Sequence, residues 1–403
     1  MKILHTSDWH LGQKFFNFDR DEEQRQALHW LIELIDLQQI DVVIVAGDIF
    51  DSANPSNSSR KLYYDFIVKC SHSFCKHLII IGGNHDSPQM LHTTKDIVNY
   101  FKTSVVGSKS LNVADDIVII KDQQSNEPIL VVAMCPFLRE RDLKQADFTE
   151  SNEAKVNMIQ LGIKTHYEAM MEEVINLDLD LTKIPVLATG HLFASGASSY
   201  DKQANIYSSD THNIKASEFP QVFDYVALGH IHKAQPIGNL RHIRYSGSLI
   251  PLSFDEASDT KSVTILNFDS EKKLEITIEK VPCFRKLIQL ETLWNDLEEN
   301  LKRISDEQSN SSWIDLILLD KYKFAGLENE IDLLAKKYNV EIIKKSMKNF
   351  ANDNFQTVEY DLDEIDDNYI FEKRLEQTDL DEEMKSEMIN LYQILVSEFR
   401  END

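Results

Sequence analysis

The sequence predicts an α/β layered fold followed by a smaller α+β domain, on three observations. Between Met1 and about Asp269, apolar runs of strand length alternate with helical patterns. From about Lys280 the rhythm tightens into a compact β-α-β-α-β unit. And 403 residues exceed what one ordinary core serves, so two or three domains are expected.

The strands of the first region are, in order, "KILHT", "DVVIVAG", "HLIIIGG", "ILVVAM", "VLATG", "YVALG", "IRYSGS" and "SVTILNF". A charged helical insert lies between Pro136 and Pro185, and Ala194 to Pro220 is rich in Ser, Gly, Asp and Asn, as expected of a long loop. In the second region, strands "RKLIQL", "WIDLILL" and "VEIIKKS" alternate with helices "WNDLEENLKRI" and "LENEIDLLAKKY". The expected division is 1–279, 280–348, a polar and acidic linker at 349–368, and a helical segment at 369–403. That last segment has a helix start at Thr378 with acidic residues in its first turn. Met384, Met388, Leu391, Leu395 and Phe399 then recur on one helical face.

The net charge of −25 argues against a simple basic nucleic-acid binder. The acidity is uneven, however. Glu291 to Asp403 carries 29 acidic and 13 basic residues, a net of −16, leaving only −9 on the preceding residues. An anionic substrate bound further forward is therefore compatible with the composition. No apolar run approaches the roughly 20 residues of a spanning helix, and "MKILHTSDWH" is no secretory signal. Cys70, Cys75, Cys135 and Cys283 form no Cys-x-x-Cys pair, which suits a reducing cytoplasm. Cys70, His72, Cys75 and His77 have the spacing of no common zinc module.

Five strands end in residues that ligate metals. They supply Asp8 and His10; Asp48, with Asp51 following; Asn84, His85 and Asp86; His191; and His230 with His232. In open α/β sheets, ligands bind in the crevice beyond the carboxyl ends of the strands. Residues two apart in extended chain point the same way, so Asp8 with His10, and His230 with His232, can each serve one site. Glycines before Asp48, Asn84, His191 and His230 allow tight turns and close backbone approach. Taken singly, each has an ordinary explanation: a packed histidine, a helix cap at Asp48, a turn at Asn-His-Asp. All would have to hold at one sheet edge. Two carboxylates, one amide and four imidazoles are enough donors for two divalent ions and leave a residual charge of about +2, which attracts a phosphate. Mixed nitrogen and oxygen ligation suits manganese, iron or zinc better than magnesium.

Asp8-x-His10, Gly47-Asp48-x-x-Asp51, Gly83-Asn84-His85-Asp86, Gly190-His191 and Gly229-His230-Ile231-His232 resemble, in order, the five motifs of the calcineurin-like metallophosphoesterases. "MKILHTSDWHLGQ", "VVIVAGDIFD", "YVALGHIHKAQ" and "RYSGSLIPLSFDE" extend the likeness to the branch of bacterial DNA-repair nuclease subunits. The resemblance covers essentially the whole chain. It implies a sandwich of two sheets flanked by helices, with 280–348 as a capping domain that recognises DNA and 369–403 as the segment docking on an SbcC-type ATPase. It implies two divalent metals, most often Mn²⁺: Asp8, His10 and His232 on the first, Asn84, His191 and His230 on the second, with Asp48 bridging. His85 would face substrate as the catalytic acid, with Asp86 to orient it. Asp51 is a departure, since archaeal and eukaryotic relatives carry histidine there; it is read as a supporting residue. The expected activity is metal-dependent cleavage of DNA, exonucleolytic at double-stranded ends and endonucleolytic on single strands or hairpins, by a cytoplasmic homodimer within a heterotetramer. The alternatives are a metallophosphatase acting on nucleotides or phosphoproteins, which would use the same ligands, and a non-catalytic adaptor, which would have lost some of them.

Overall fold

A computed structural model of the chain describes residues 1–122, 124–143, 152–195, 197, 213–306, 312–319, 326–348 and 388. Met1–Lys348 form one compact unit and Asn349–Asp403 a second. The linker and docking segment expected at 349–403 lie outside the described residues, Met388 excepted.

The first sheet begins with four parallel strands, β1 (Lys2–Thr6), β2 (Val42–Ala46), β3 (His77–Ile81) and β4 (Thr103–Val106). The second takes β5 (Ile117–Lys121), β6 (Pro128–Ala133), β7 (Val186–His191), β8 (Tyr225–Gly229), β9 (Gln235–Ile237) and β10 (Leu240–Tyr245). The chain then returns to the first sheet with β11 (Ser262–Phe268), antiparallel to β1, and β12 (Leu274–Lys280) on the outer edge. Strand order is β12-β11-β1-β2-β3-β4 in one sheet and β9-β10-β8-β7-β6-β5 in the other.

The inner faces of the two sheets meet through Ile44, Ile79, Val132, Leu187, Ala227 and Leu266. Helices α1 (Asp21–Gln38) and α2 (Asn57–His72) cover the outer face of the first sheet, where Leu31, Ile35 and Phe66 pack with Val43, Val45 and Ile80. Helix α3 (Asn152–Ile175), the expected insert, covers the second through Tyr167 and Met170 against Val131, Ala188 and Val226. Two sheets flanked by helices is thus the observed layering. Because β2 and β3 lie inside it, all of "VVIVA" and nearly all of "HLIII" are buried, and the apolar runs need no polar alternation. Within the polar 194–220 stretch, Phe193–Ser195 and Asn213–Lys215 pair in parallel; most of what lies between is outside the described residues.

A third, all-parallel sheet contains β13 (Lys286–Thr292), β14 (Ser312–Leu318) and β15 (Glu341–Met347), in that order. Helices α4 (Trp294–Asp306) and α5 (Leu327–Lys337) pack on it through Leu297, Leu301, Ile331 and Ala335 against Ile314 and Leu316. A short hairpin, Lys14–Phe15 with Phe18–Asp19, reaches this sheet: the Phe15 and Trp313 rings stack at 5.7 Å and 4°. Arg20 and Arg285 flank the pair, their guanidinium carbons 5.8 Å and 4.4 Å from the Trp313 ring. No helix among the described residues is long and apolar enough to cross a membrane.

Candidate metal centre

The parallel strands β1, β2, β3, β7 and β8 all point their carboxyl ends at one edge, and the turns leaving them interlock. Asp8 N donates to the Gly47 carbonyl (3.0 Å) and His10 N to the Asp48 carbonyl (3.1 Å), joining the turns after β1 and β2. His230 N donates to Asp8 Oδ1 (2.9 Å), and His191 Nδ1 to the Ala46 carbonyl (2.9 Å), which ties the second sheet to the first. Ser7 Oγ donates to Asp8 Oδ2 and lies 2.7 Å from Ser246 Oγ.

Four of the residues so placed have left-handed backbone without being glycine: Asp8 (φ 52°), His10 (45°), Asp48 (49°) and His230 (99°). Such conformations cost of order 1–3 kcal/mol each and persist where the surroundings over-determine them. Glycines make the crowding possible. A Cβ on Gly83 would come within 2.0 Å of Asp48 Oδ1, one on Gly229 within 2.0 Å of the Ala46 carbonyl oxygen, and one on Gly47 within 2.3 Å of His191 Nδ1.

Three groups of potential ligands with atoms within 4.8 Å of one another result among the described residues: Asp8, His10 and His232; His10, Asp48 and His85; and Asp48, His191 and His230. Asn84 joins the last, its Oδ1 3.0 Å from His191 Nε2 and 3.1 Å from His230 Nδ1. Asp48 sits between the groups, Oδ2 being 3.5 Å from His10 Nε2 and 3.2 Å from His191 Nε2, while Oδ1 accepts from His85 N at 3.0 Å. The seven expected metal ligands and His85 are thereby gathered at one edge. Asn84 and His85 are exposed; Asp8, His10, Asp48, His191 and His230 are buried.

Concentrated charge perturbs the groups. Burial alone would raise the Asp48 carboxyl, but His191, His10 and His85 hold it well below its usual range. Burial would lower His191, yet Asp48 and Asp8 lift it to about 9. In the absence of other cations, a proton on His191 balances the buried carboxylates.

Asp86 does not orient His85. Its carboxylate accepts from three backbone N–H groups, Ile49 (3.1 Å), Phe50 (2.9 Å) and Gly83 (2.8 Å), so it closes the loop that carries Asn84 and His85. Burial and the neighbouring Asp48 charge lift it to about 6 despite those bonds. Arg139 Nη2 fastens the same loop from outside, 2.9 Å from the Asp86 carbonyl oxygen. The acceptor for His85 Nδ1 is the Asp51 main-chain carbonyl, at 2.9 Å.

Sequence reasoning missed Glu256 and Lys261. Glu256, on the turn Phe254–Glu256, places Oε1 3.1 Å from His232 Nδ1, and Lys261 Nζ lies 2.5 Å from Oε2. Burial would raise this carboxyl, but Lys261 and His232 hold it well below the ordinary range. The available signal was the stretch "RYSGSLIPLSFDE", which ends on this glutamate.

The calcineurin-like phosphoesterase pattern matches residues 1–234. The SbcD subunit of nuclease SbcCD from Escherichia coli (strain K12) is 33% identical over 396 residues, 97% of each chain. Its namesakes from Bacillus subtilis (strain 168) and Rhodobacter capsulatus are 28% and 30% identical, over 78% and 66% of each chain. The chain belongs to the calcineurin-like phosphoesterases, in the SbcD family of nuclease subunits.

Calcineurin-like phosphoesterases use divalent metals, and the donor set suits them. His10 Nε2 is buried, faces Asp48 and has no hydrogen-bond partner among the described residues. A carbonyl or carboxylate can only accept. The Nδ1 atoms of His10, His191 and His232, facing Asp51, Ala46 and Glu256, therefore keep their protons, so Nε2 is the nitrogen each ring would offer an ion, His191 giving up the proton it otherwise shares with Asp48.

Proposed function

We propose that this chain is a metal-dependent DNA nuclease subunit that cuts phosphodiester bonds with two divalent ions, Mn²⁺ being the ion the family most often uses, and works with an SbcC-type ATPase in DNA end processing. The observation that carries the reading is the convergence of seven donor residues from five strand ends, in a chain alike over 97% of its length to an SbcD nuclease subunit.

In this reading Asp8, His10 and His232 hold one ion, Asn84, His191 and His230 the other, and Asp48 lies between them. When bound, the two ions neutralise charge on the phosphate oxygens and make water a stronger nucleophile at neutral pH. The chain supplies the rest. Asn84 offers a neutral oxygen, so it adds a donor without reducing the positive charge that attracts phosphate. His85 is exposed at the mouth, and the Asp51 carbonyl fixes its Nδ1–H. Its Nε2–H can then protonate the departing sugar oxygen, a contribution of typically about 10²–10⁴-fold.

Residues 1–279 form the nuclease domain in this proposal. Residues 280–348 cap the groove and select DNA shape, and 369–403, tethered by 349–368, dock on the ATPase. The acidic linker and the apolar stripe of Met384, Met388 and Leu391 support docking on a partner helix. The relatives' name is that of one subunit of a larger assembly, which fits a homodimer of nucleases within a heterotetramer. Free Cys70, Cys75, Cys135 and Cys283 fit a cytoplasmic site of action.

The deciding experiment compares Mn²⁺-dependent hydrolysis of single-stranded DNA, hairpin DNA, double-stranded ends and a small phosphomonoester, with and without the ATPase. Cleavage of DNA with little action on the monoester is expected. Preference for the monoester would assign a phosphatase, and no hydrolysis of any substrate would assign an adaptor.

A further inference from the structure

We infer that Glu256, clamped by Lys261, is the positioning residue that fixes the orientation and donor strength of His232; the inference rests on the two-ion reading above. Glu256 is fully buried although it comes from a surface turn, and each of its carboxylate oxygens is engaged. Oε1 faces His232 Nδ1 at 3.1 Å. Oε2 accepts from Lys261 Nζ (2.5 Å), Leu252 N (3.1 Å) and Ser248 Oγ (3.4 Å). Lys261 Nζ also donates to the His232 main-chain carbonyl at 3.1 Å. The three residues therefore close a circuit: the lysine holds both the backbone of His232 and the carboxylate that holds its ring.

This support differs from that of His191. The His191 Nδ1–H meets a neutral carbonyl, that of Ala46, whereas the His232 Nδ1–H meets a carboxylate. A carboxylate behind an imidazole raises the basicity of the distal nitrogen, and loss of such a partner typically costs about 10–100-fold in metal affinity. Removing Glu256 should therefore weaken one ion position selectively. A pair that serves only to stabilise the fold would leave both positions alone.

The test uses the full chain, stripped of metal and titrated with Mn²⁺ while bound ion is counted by electron paramagnetic resonance. Wild type, Glu256→Ala and Glu256→Gln are compared, with melting of the metal-free proteins as the control for folding. Glu256→Ala is expected to bind one Mn²⁺ as wild type does and the other about 10–100-fold more weakly. Glu256→Gln, which keeps an acceptor oxygen, should lose less. With DNA, the variants should recover the wild-type kcat at saturating Mn²⁺, with unchanged KM. Should Glu256→Ala fail to fold, Glu256→Gln and Lys261→Met carry the comparison. Variants that melt normally and bind both ions with wild-type affinity would overturn the inference while sparing the two-ion reading. A wild-type chain that takes up no Mn²⁺ would sink both.

Discussion

His85 Nδ1 lies 2.9 Å from the main-chain carbonyl oxygen of Asp51, and the Asp51 carboxylate in turn lies 3.2 Å from His10 Nδ1. One residue thus orients two imidazoles, using its backbone for one and its side chain for the other. His85→Ala should leave Mn²⁺ stoichiometry unchanged and lower the rate of DNA cleavage by about 10²–10⁴-fold. Single-turnover kinetics at saturating Mn²⁺ check this, and a wild-type rate would remove His85 from the mechanism.

Asp51→Ala separates the two duties. The carbonyl remains for His85, while His10 loses its carboxylate. Mn²⁺ affinity should fall about 10–100-fold, yet kcat at saturating metal should stay near wild type. Calorimetric titration beside the cleavage assay distinguishes this from a loss of chemistry.

The pH dependence of metal binding follows from His191, lifted to about 9 in the metal-free protein. Below that pH the ring is protonated, so an incoming ion must displace a proton. Apparent Mn²⁺ affinity at this position should rise about tenfold per pH unit between about pH 6.5 and 8, with release of close to one proton per ion. Titrations in buffers of different ionisation enthalpy measure that proton, and an affinity flat with pH would contradict the assignment.

Asp86 predicts a stability effect. Asp86→Ala strands the N–H groups of Ile49, Phe50 and Gly83 in a buried loop. At about 1–3 kcal/mol for an unsatisfied buried group, the loss should exceed about 2 kcal/mol, read as a lowered denaturation midpoint even without metal.

Deleting residues beyond about Asn368 should abolish co-purification with the ATPase and spare Mn²⁺-dependent cleavage by the isolated nuclease. Retained co-purification would place the docking surface elsewhere.

Much of this was legible in the sequence because the candidate ligands sit where strands stop. "VVIVAGD" and "LIIIGGNHD" announce a buried strand, a glycine and a polar atom in that order, and parallel topology sends such ends to one edge. Strands without that punctuation, such as Thr103–Val106 and the amphipathic Leu274–Lys280, were not separable from their surroundings. The roles of Asp86 and Glu256 were hidden for different reasons. Adjacency to His85 says nothing about direction, and Asp86 turns inward to three N–H groups. Glu256 follows His232 by 24 positions, on a turn whose path depends on how β10 and β11 diverge into separate sheets.

The stack of Phe15 on Trp313 has a mechanical consequence. Phe15 stands five residues beyond His10, on the hairpin that continues directly from the first strand end, while Trp313 belongs to the middle strand of the third sheet. Flanked by Arg20 and Arg285, the two rings fasten that hairpin to the third sheet. The same cluster takes in Phe254, so the third sheet is fastened both to the hairpin that follows His10 and to the turn that carries Glu256.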